Sequence, residues 1–284
     1  MLVVVGSYNQ DLVWRTEVFP IVGQTSTGVF SQGPGGKGFN QALAAHRLAC
    51  PTLFIAAIGN DALGSNAQQL AATESLHCAW QICSNSATGN AAIWLDKNGQ
   101  NQILVDLAAN RLLSVEHINT QRNQLQQSKV LLVQQEANVQ ASIQAAQHAK
   151  QAGVITIVNP APATDEASEL HNLADILTPN ESEFSALLQK NGVSLSAEHI
   201  ATLDDAALHL HARTLNIATL IITLGARGIL LSTDSAFLSI SPPSVTVRDT
   251  TGAGDCFNGA LAVRLANGDS IIDACHFAVL ASAL

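Results

Sequence analysis

The stretch Asp249-Thr250-Thr251-Gly252-Ala253-Gly254-Asp255-Cys256-Phe257-Asn258-Gly259-Ala260 sets two glycines and a carboxylate at the head of an apolar segment with helical spacing, Phe257 to Leu265. Glycine has no Cβ, so the backbone at Gly252 and Gly254 turns tightly and presents N–H groups at the start of that segment. Those groups, with the positive end of a helix dipole, suit a phosphate or a developing negative charge. Asp255 stands among them. It reads either as a helix cap or as a base that takes a proton from an alcohol while the N–H groups hold the phosphate under attack.

Other stretches carry residue types fit for binding. Gly33-Pro34-Gly35-Gly36-Lys37-Gly38 satisfies G-x-G-x-x-G, and Asp61 follows at about the 20 residues expected of a dinucleotide fold. That fingerprint belongs directly after a first strand, whereas a long stretch separates Val5 from Gly33, and Asp61 begins a helix that it would cap. Gly38 follows Lys37 where a P-loop needs Ser or Thr for magnesium. What remains is a turn that lets a ligand come close, with Lys37 and Asn40 adding hydrogen bonds.

In Gly6-Ser7-Tyr8-Asn9-Gln10-Asp11, just past a first strand, Asn9 and Asp11 lie two apart and share one side of extended backbone. They suit a polyhydroxylated ligand or an ordinary Asx turn. Gln134-Gln135-Glu136 follows another strand and offers a further acceptor. In Thr178-Pro179-Asn180-Glu181-Ser182-Glu183, Pro179 and Asn180 are helix-start signals. Asn180 and Glu183 also share a helical face, as a hydrated magnesium site requires. Thr223-Leu224-Gly225-Ala226-Arg227-Gly228 joins two apolar runs with flexible backbone. None of the nine histidines pairs with a Ser or Cys in a hydrolase motif.

These residues need a scaffold. Short apolar runs, Leu2 to Val5, Leu53 to Ile58, Val130 to Val133, Val154 to Val158, Asp175 to Leu177 and Leu220 to Thr223, alternate with helix-period segments such as Gly38 to Ala49, Leu63 to Thr73, Val139 to Ala152 and Asp204 to Leu215. That rhythm predicts an α/β fold with a largely parallel sheet. Two regions break it. Residues 11–32 and 79–107, the latter with a turn at Lys97-Asn98-Gly99-Gln100, alternate like paired strands and predict a small antiparallel sheet, a lid or a decorative edge.

Composition narrows the function classes. The 284 residues are 47% apolar and 12% charged, enough for one large buried core. A net charge of −9 without a basic run argues against nucleic acid as a partner, while small anions remain compatible with a local N–H nest. Five scattered cysteines without a C-x-x-C pair fit a reduced, cytoplasmic protein. Leu2-Val3-Val4-Val5 directly after Met1 is unlike a signal peptide, and nothing approaches a membrane span.

In their order along the chain these elements resemble the ribokinase branch of the PfkB family of sugar kinases, over essentially the whole length. The resemblance is carried by Gly6-Ser7-x-Asn9-x-Asp11, Gly35-Gly36-Lys37-Gly38-x-Asn40-Gln41-Ala42, Asn159-Pro160-Ala161-Pro162-Ala163, Thr178-Pro179-Asn180-Glu181-x-Glu183, Thr223-Leu224-Gly225-x-Arg227-Gly228 and the Asp249 to Ala260 stretch. It implies one ribokinase-like α/β domain over residues 1–284, doubly wound, mostly parallel and flanked by helices. It also implies a small β-sheet lid that serves as a homodimer interface. The reaction it implies is transfer of the γ-phosphoryl group of ATP to a primary hydroxyl, the 5-hydroxyl when the sugar is ribose, with Mg2+ and with K+ as an activator.

By the same resemblance Asp255 is the catalytic base, and the N–H groups of Gly252, Ala253 and Gly254 are the anion hole. Asn9, Asp11, Gly36, Lys37, Asn40 and Glu136 hold the sugar, Asn180 and Glu183 organise magnesium and phosphate, and Thr223, Gly225 and Gly228 form the nucleotide turn. Asp249 and Thr251 match half of a monovalent-cation site. Family members carry a tail past the position of Leu284 that closes the adenine pocket and completes that site, so the expectation for this chain is weakened nucleotide and potassium binding. Phe39 replaces a small residue and either narrows the sugar pocket or thickens helix packing. The alternatives are a kinase for deoxyribose, fructose or a nucleoside, a catalytically impaired sugar or nucleotide binder, and, third, a dinucleotide-dependent oxidoreductase.

Overall fold

The computed structural model describes residues 1–246 and 250–283. Its strands begin with β1 (Leu2–Val5), β2 (Asn9–Thr16), β3 (Val29–Gly35), β4 (Thr52–Gly59), β5 (His77–Cys83), β6 (Asn90–Asp96) and β7 (Asn101–Asp106). They continue with β8 (Val130–Val133), β9 (Ile155–Val158), β10 (Ile176–Leu177), β11 (Thr219–Thr223), β12 (Ile229–Thr233) and β13 (Phe237–Ile240). The helices are α1 (Lys37–Arg47), α2 (Ala62–Glu74), α3 (Val115–Thr120), α4 (Arg122–Gln127), α5 (Val139–Gln151) and α6 (Ser168–Leu173). After them come α7 (Glu181–Lys190), α8 (Ala197–Thr202), α9 (Asp205–Arg213), α10 (Ala253–Ala266) and α11 (Ile271–Ser282).

Among the described residues, nine strands form one sheet in the order β13-β12-β11-β10-β9-β8-β1-β4-β5. Pairing is parallel from β11 through β5, and only the β11–β12 and β12–β13 pairs at one edge are antiparallel. From β1 the chain builds first toward β4 on one side and later toward β8 on the other. The carboxyl end of β1 is therefore the switch point at which open α/β sheets take their ligands.

The central strands β1 and β8 are apolar throughout because both faces of the sheet are covered. Val3, Val5, Leu131 and Val133 face a core built with α3 to α9. Leu2, Val4, Val130 and Leu132 face the opposite core, built with α1, α2, α10 and α11. Phe39 belongs to the second core, fully buried and edge-on to Tyr8 at 5.2 Å and to Phe54 at 5.8 Å between ring centroids. Its extra volume goes into helix packing.

A second sheet, in the order β3-β2-β6-β7, stands apart from the first. β2 pairs antiparallel with β3 and parallel with β6, and β6 and β7 form the hairpin turning at Gly99. The structure differs from the expected small antiparallel sheet in two ways: the two excursions join through the parallel β2–β6 pair, and β5 lies outside the small sheet. β5, which alternates like its small-sheet neighbours, pairs in parallel with β4 and closes the large sheet, so the second excursion into the small sheet begins at Asn90. β5 packs on both cores, Ala79 and Cys83 on one and Cys78 and Trp80 on the other, but as an edge strand it keeps His77, Gln81 and Ile82 partly or fully exposed, which gives it the mixed composition of a small-sheet strand.

Candidate active site

Past β1 the backbone at Ser7 runs under the start of α1. The Ser7 carbonyl accepts from the Phe39 N–H at 2.9 Å, and Ser7 Oγ donates to Glu136 Oε2 at 2.6 Å. The Lys37 N–H donates to the same Glu136 oxygen at 3.0 Å. Glu136, just after β8, is thus fixed against the first turn of α1, where the helix dipole favours a negative charge. Gly36 is the N-cap of that helix, with φ 88°.

Asn9 and Asp11 leave this junction on β2. Asn9 Oδ1 accepts from Asn110 Nδ2 at 2.9 Å, and Asn110 also exchanges hydrogen bonds with the Tyr8 backbone, both at 3.0 Å. The Asp11 carboxylate lies against Gly35, where a Cβ would come within 2.3 Å of its Oδ1. Burial, and secondly the nearby Glu136 charge, push the Asp11 carboxyl up to about 6. Asn110 is fully buried, and its sole sequence cue is a polar residue after Leu107-Ala108-Ala109.

Asp255 sits in the first turn of α10, whose N-cap is Gly252 at φ 77°, a left-handed conformation that favours glycine. Its carboxylate does not cap the helix. Oδ2 accepts from Asn40 Nδ2 and Oδ1 from Gln41 Nε2, each at 3.0 Å, both from α1. Asp255 is 9% exposed; burial pushes its carboxyl above the ordinary range, opposed by the Lys37 charge and the two amide donors. The Ala253 N–H is turned to the Thr250 carbonyl at 3.2 Å. Asn258 ties the turn down, donating to the Gly254 carbonyl at 2.8 Å and accepting from Thr178 Oγ1 at 2.6 Å.

Asn180 and Glu183 form a capping box at the head of α7: Asn180 Oδ1 accepts from the Glu183 N–H, and Glu183 Oε2 accepts from the Asn180 N–H, both at 2.9 Å. Burial pushes the Glu183 carboxyl up, with the Asp255 charge adding to the effect and Lys37 opposing it. Glu183, Glu136 and Asp255 therefore share one electrostatic neighbourhood with Lys37. One buried carboxylate with a free second oxygen direction fits magnesium held through water rather than in a protein cage. Among the described residues no cluster of three or more His, Cys, Asp or Glu side chains forms such a cage.

Thr223 lies beside Asn180, joined by a parallel bridge and by its N–H to the Pro179 carbonyl at 2.9 Å. Gly225 opens a 3₁₀ turn, and Gly228 closes it by accepting from the Leu224 N–H at 2.8 Å. Thr251 is exposed just ahead of Gly252, and Asp249 lies outside the described residues. Asp61 is the N-cap of α2, accepting from the Gly64 N–H at 2.8 Å, and also binds Thr88 at 2.7 Å through its hydroxyl. Its carboxylate is spent on structure, leaving the dinucleotide fingerprint without its acid.

The site therefore offers amides and carboxylates fit for hydroxyl groups, a helix start fit for an anion, and a buried carboxylate held by two amide donors. The sequence family described as pfkB family carbohydrate kinase matches residues 1–284. A ribokinase from Haemophilus influenzae is 38% identical over 285 residues, covering 100% of this chain and 91% of that protein. The solved ribokinase of Thermotoga maritima superposes with a TM-score of 0.87 at 33% identity, covering 100% of this chain and 91% of that one. That of Arabidopsis thaliana, complexed with ribose and ATP, superposes with a TM-score of 0.82 at 31% identity and the same coverage.

Proposed function

The chain belongs to the pfkB family of carbohydrate kinases, and from that premise we propose that it transfers the γ-phosphoryl group of ATP to the 5-hydroxyl of ribose, releasing ribose 5-phosphate and ADP. It is a phosphotransferase with an alcohol acceptor. The observation that carries the residue assignment is the pair of amide bonds from Asn40 and Gln41 to Asp255, which hold a buried carboxylate at the head of α10 within electrostatic reach of Lys37 and Glu136.

Asn9, Asp11, Gly36, Lys37, Asn40 and Glu136 hold the sugar hydroxyls. Asp255 takes the proton of the 5-hydroxyl as that oxygen bonds to the γ-phosphorus and the bond to the β-phosphate oxygen breaks. N–H groups at Gly252, Ala253 and Gly254 receive the charge that builds on the transferring oxygens, the Ala253 N–H turning away from Thr250 to do so. Asn180, Thr223, Gly225 and Gly228 hold the nucleotide. Glu183 and Asn180 would hold magnesium, and the ion would supply positive charge to offset that of the phosphates. Positioning and electrostatics supply this catalysis, so the site needs no covalent nucleophile.

The partner we assign besides ribose and ATP is a second copy of the chain, bound through the small sheet. Phe30, Trp94 and Leu104 are exposed on one face of it at 51%, 40% and 78%, the pattern of an association surface. The cytoplasm is the compartment we assign: all five cysteines are free thiols. No helix among the described residues is long and apolar enough to cross a membrane.

An ADP-release assay across ribose, deoxyribose, fructose and nucleosides, with and without potassium, tests the reading. Ribose gives the highest kcat/KM, and Asp255→Asn lowers kcat by roughly 10²–10⁴-fold, the range of a general base, while calorimetric ribose binding persists. Full turnover by that variant would refute the base assignment; a preference for another acceptor would move the substrate.

A further inference from the structure

Gln41 is fully buried one residue after Asn40. Its Nε2 donates to Asp255 Oδ1 at 3.0 Å and to Asn159 Oδ1 at 3.1 Å. Its Oε1 accepts from Gln134 Nε2 at 2.5 Å. Gln134 is likewise fully buried, directly after β8, with its own Oε1 unpartnered among the described residues. Chemistry fixes the direction of this chain. An ionised carboxylate only accepts, so the Gln41 amide must turn its NH₂ to Asp255 and its oxygen to Gln134, which must then donate.

We propose that Gln41 is a positioning residue for Asp255, holding Oδ1 so that Oδ2, shared with Asn40, is the oxygen presented to the sugar hydroxyl, and that Gln134 fixes Gln41 in turn. The proposal rests on Asp255 being the base. Rotation of a carboxylate about its last torsion is soft, so one donor would leave the plane free. Two donors on different oxygens, both from α1, pin it. The Gln41 bond also favours the charged form, against the burial that opposes it. The other charged groups acting on Asp255 are Lys37 of α1, which favours the charge, and Glu136 after β8 and Glu183 of α7, which oppose it.

Gln41→Met keeps the length of the side chain and removes both donor and acceptor. Its kcat falls on the order of tenfold, the worth of one hydrogen bond to a charged group, while the KM for ribose changes little. The acid limb of the kcat profile moves to higher pH. Added to Asp255→Asn, the same change costs no further kcat, because its effect passes through that carboxylate. The two assignments fail separately. Wild-type turnover by Asp255→Asn sinks the base; an inactive Asp255→Asn beside a folded Gln41→Met with wild-type kcat and an unmoved acid limb sinks the positioning role alone. Should Gln41→Met not fold, the wild-type protein decides: the Gln41 side-chain amide nitrogen shift follows the Asp255 titration and loses that response in Asp255→Asn, and an amide that ignores the titration overturns the proposal.

Discussion

Gly259 lies directly over the backbone of Gln41: a Cβ on Gly259 would stand 2.8 Å from the Gln41 carbonyl oxygen and 2.9 Å from the Ala44 Cβ. This contact sets how closely α10 approaches α1. Asn40 and Gln41 reach Asp255 because that approach is close.

Gly259→Ala accordingly pushes the two helices apart. Overpacking of this kind costs about 1–3 kcal/mol, read as a lower denaturation midpoint. The sharper expectation is kinetic: kcat drops because both amide bonds to Asp255 lengthen, whereas an exposed control such as Gly23→Ala leaves kcat alone. Equal kcat in the two variants would show that the helix spacing does not set the base.

Asp11 supplies a pH signature. Its carboxyl is raised from 3.8 to about 6 in the folded chain, so between those values the folded state binds more protons than the unfolded state. Stability contributed by this group therefore falls as pH rises through that window. Ribose affinity moves the other way, improving as pH rises through about 6, because the ionised carboxylate is the better acceptor for a hydroxyl. Asp11→Asn flattens both trends. Melting temperature and calorimetric ribose affinity between pH 4 and 7 check it, at roughly one-unit steps around the ordinary carboxylate range.

At Glu183 the capping box and the proposed hold on magnesium can be tested separately. Glu183→Ala breaks the capping box, at a cost of about 1 kcal/mol, whereas Glu183→Gln keeps the reciprocal bonds because Gln serves equally at that position. Both variants need more magnesium for half-maximal turnover. A Glu183→Gln enzyme with wild-type magnesium dependence would confine the residue to capping.

The small sheet ends in β7, whose residues are exposed from Asn101 to Asp106. Leu104→Glu places a charge on the most exposed of its apolar residues and shifts sedimentation equilibrium toward monomer. Unchanged mass would move the interface elsewhere.

Much of this arrangement is legible along the chain. Strands such as Leu2–Val5 and Val130–Val133 are unbroken apolar runs because helices cover both faces of the sheet, and burial on two sides leaves no polar position. The turns at Gly36 and Gly252 show in composition because a positive φ selects glycine. β5 was not legible as part of the large sheet, since an edge strand mixes polar and apolar residues as a small-sheet strand does. Asn110 was not either, because one buried amide in an apolar stretch has no period and no motif.

The sequence by itself determined which chemistries the chain holds and in what order: hydroxyl-binding amides and carboxylates, a Gly-rich turn, a capped acid, a second turn, and an anion-binding helix start with its Asp. What it left open at Asp255 was which groups its carboxylate meets. Only the tertiary structure decided that, by bringing Asn40 to Oδ2 across 215 residues of chain and Gln41 to Oδ1 across 214. Local spacing specifies which way a side chain leaves its own helix; which partner it meets depends on the approach of α1 and α10, and that is a property of packing between distant segments.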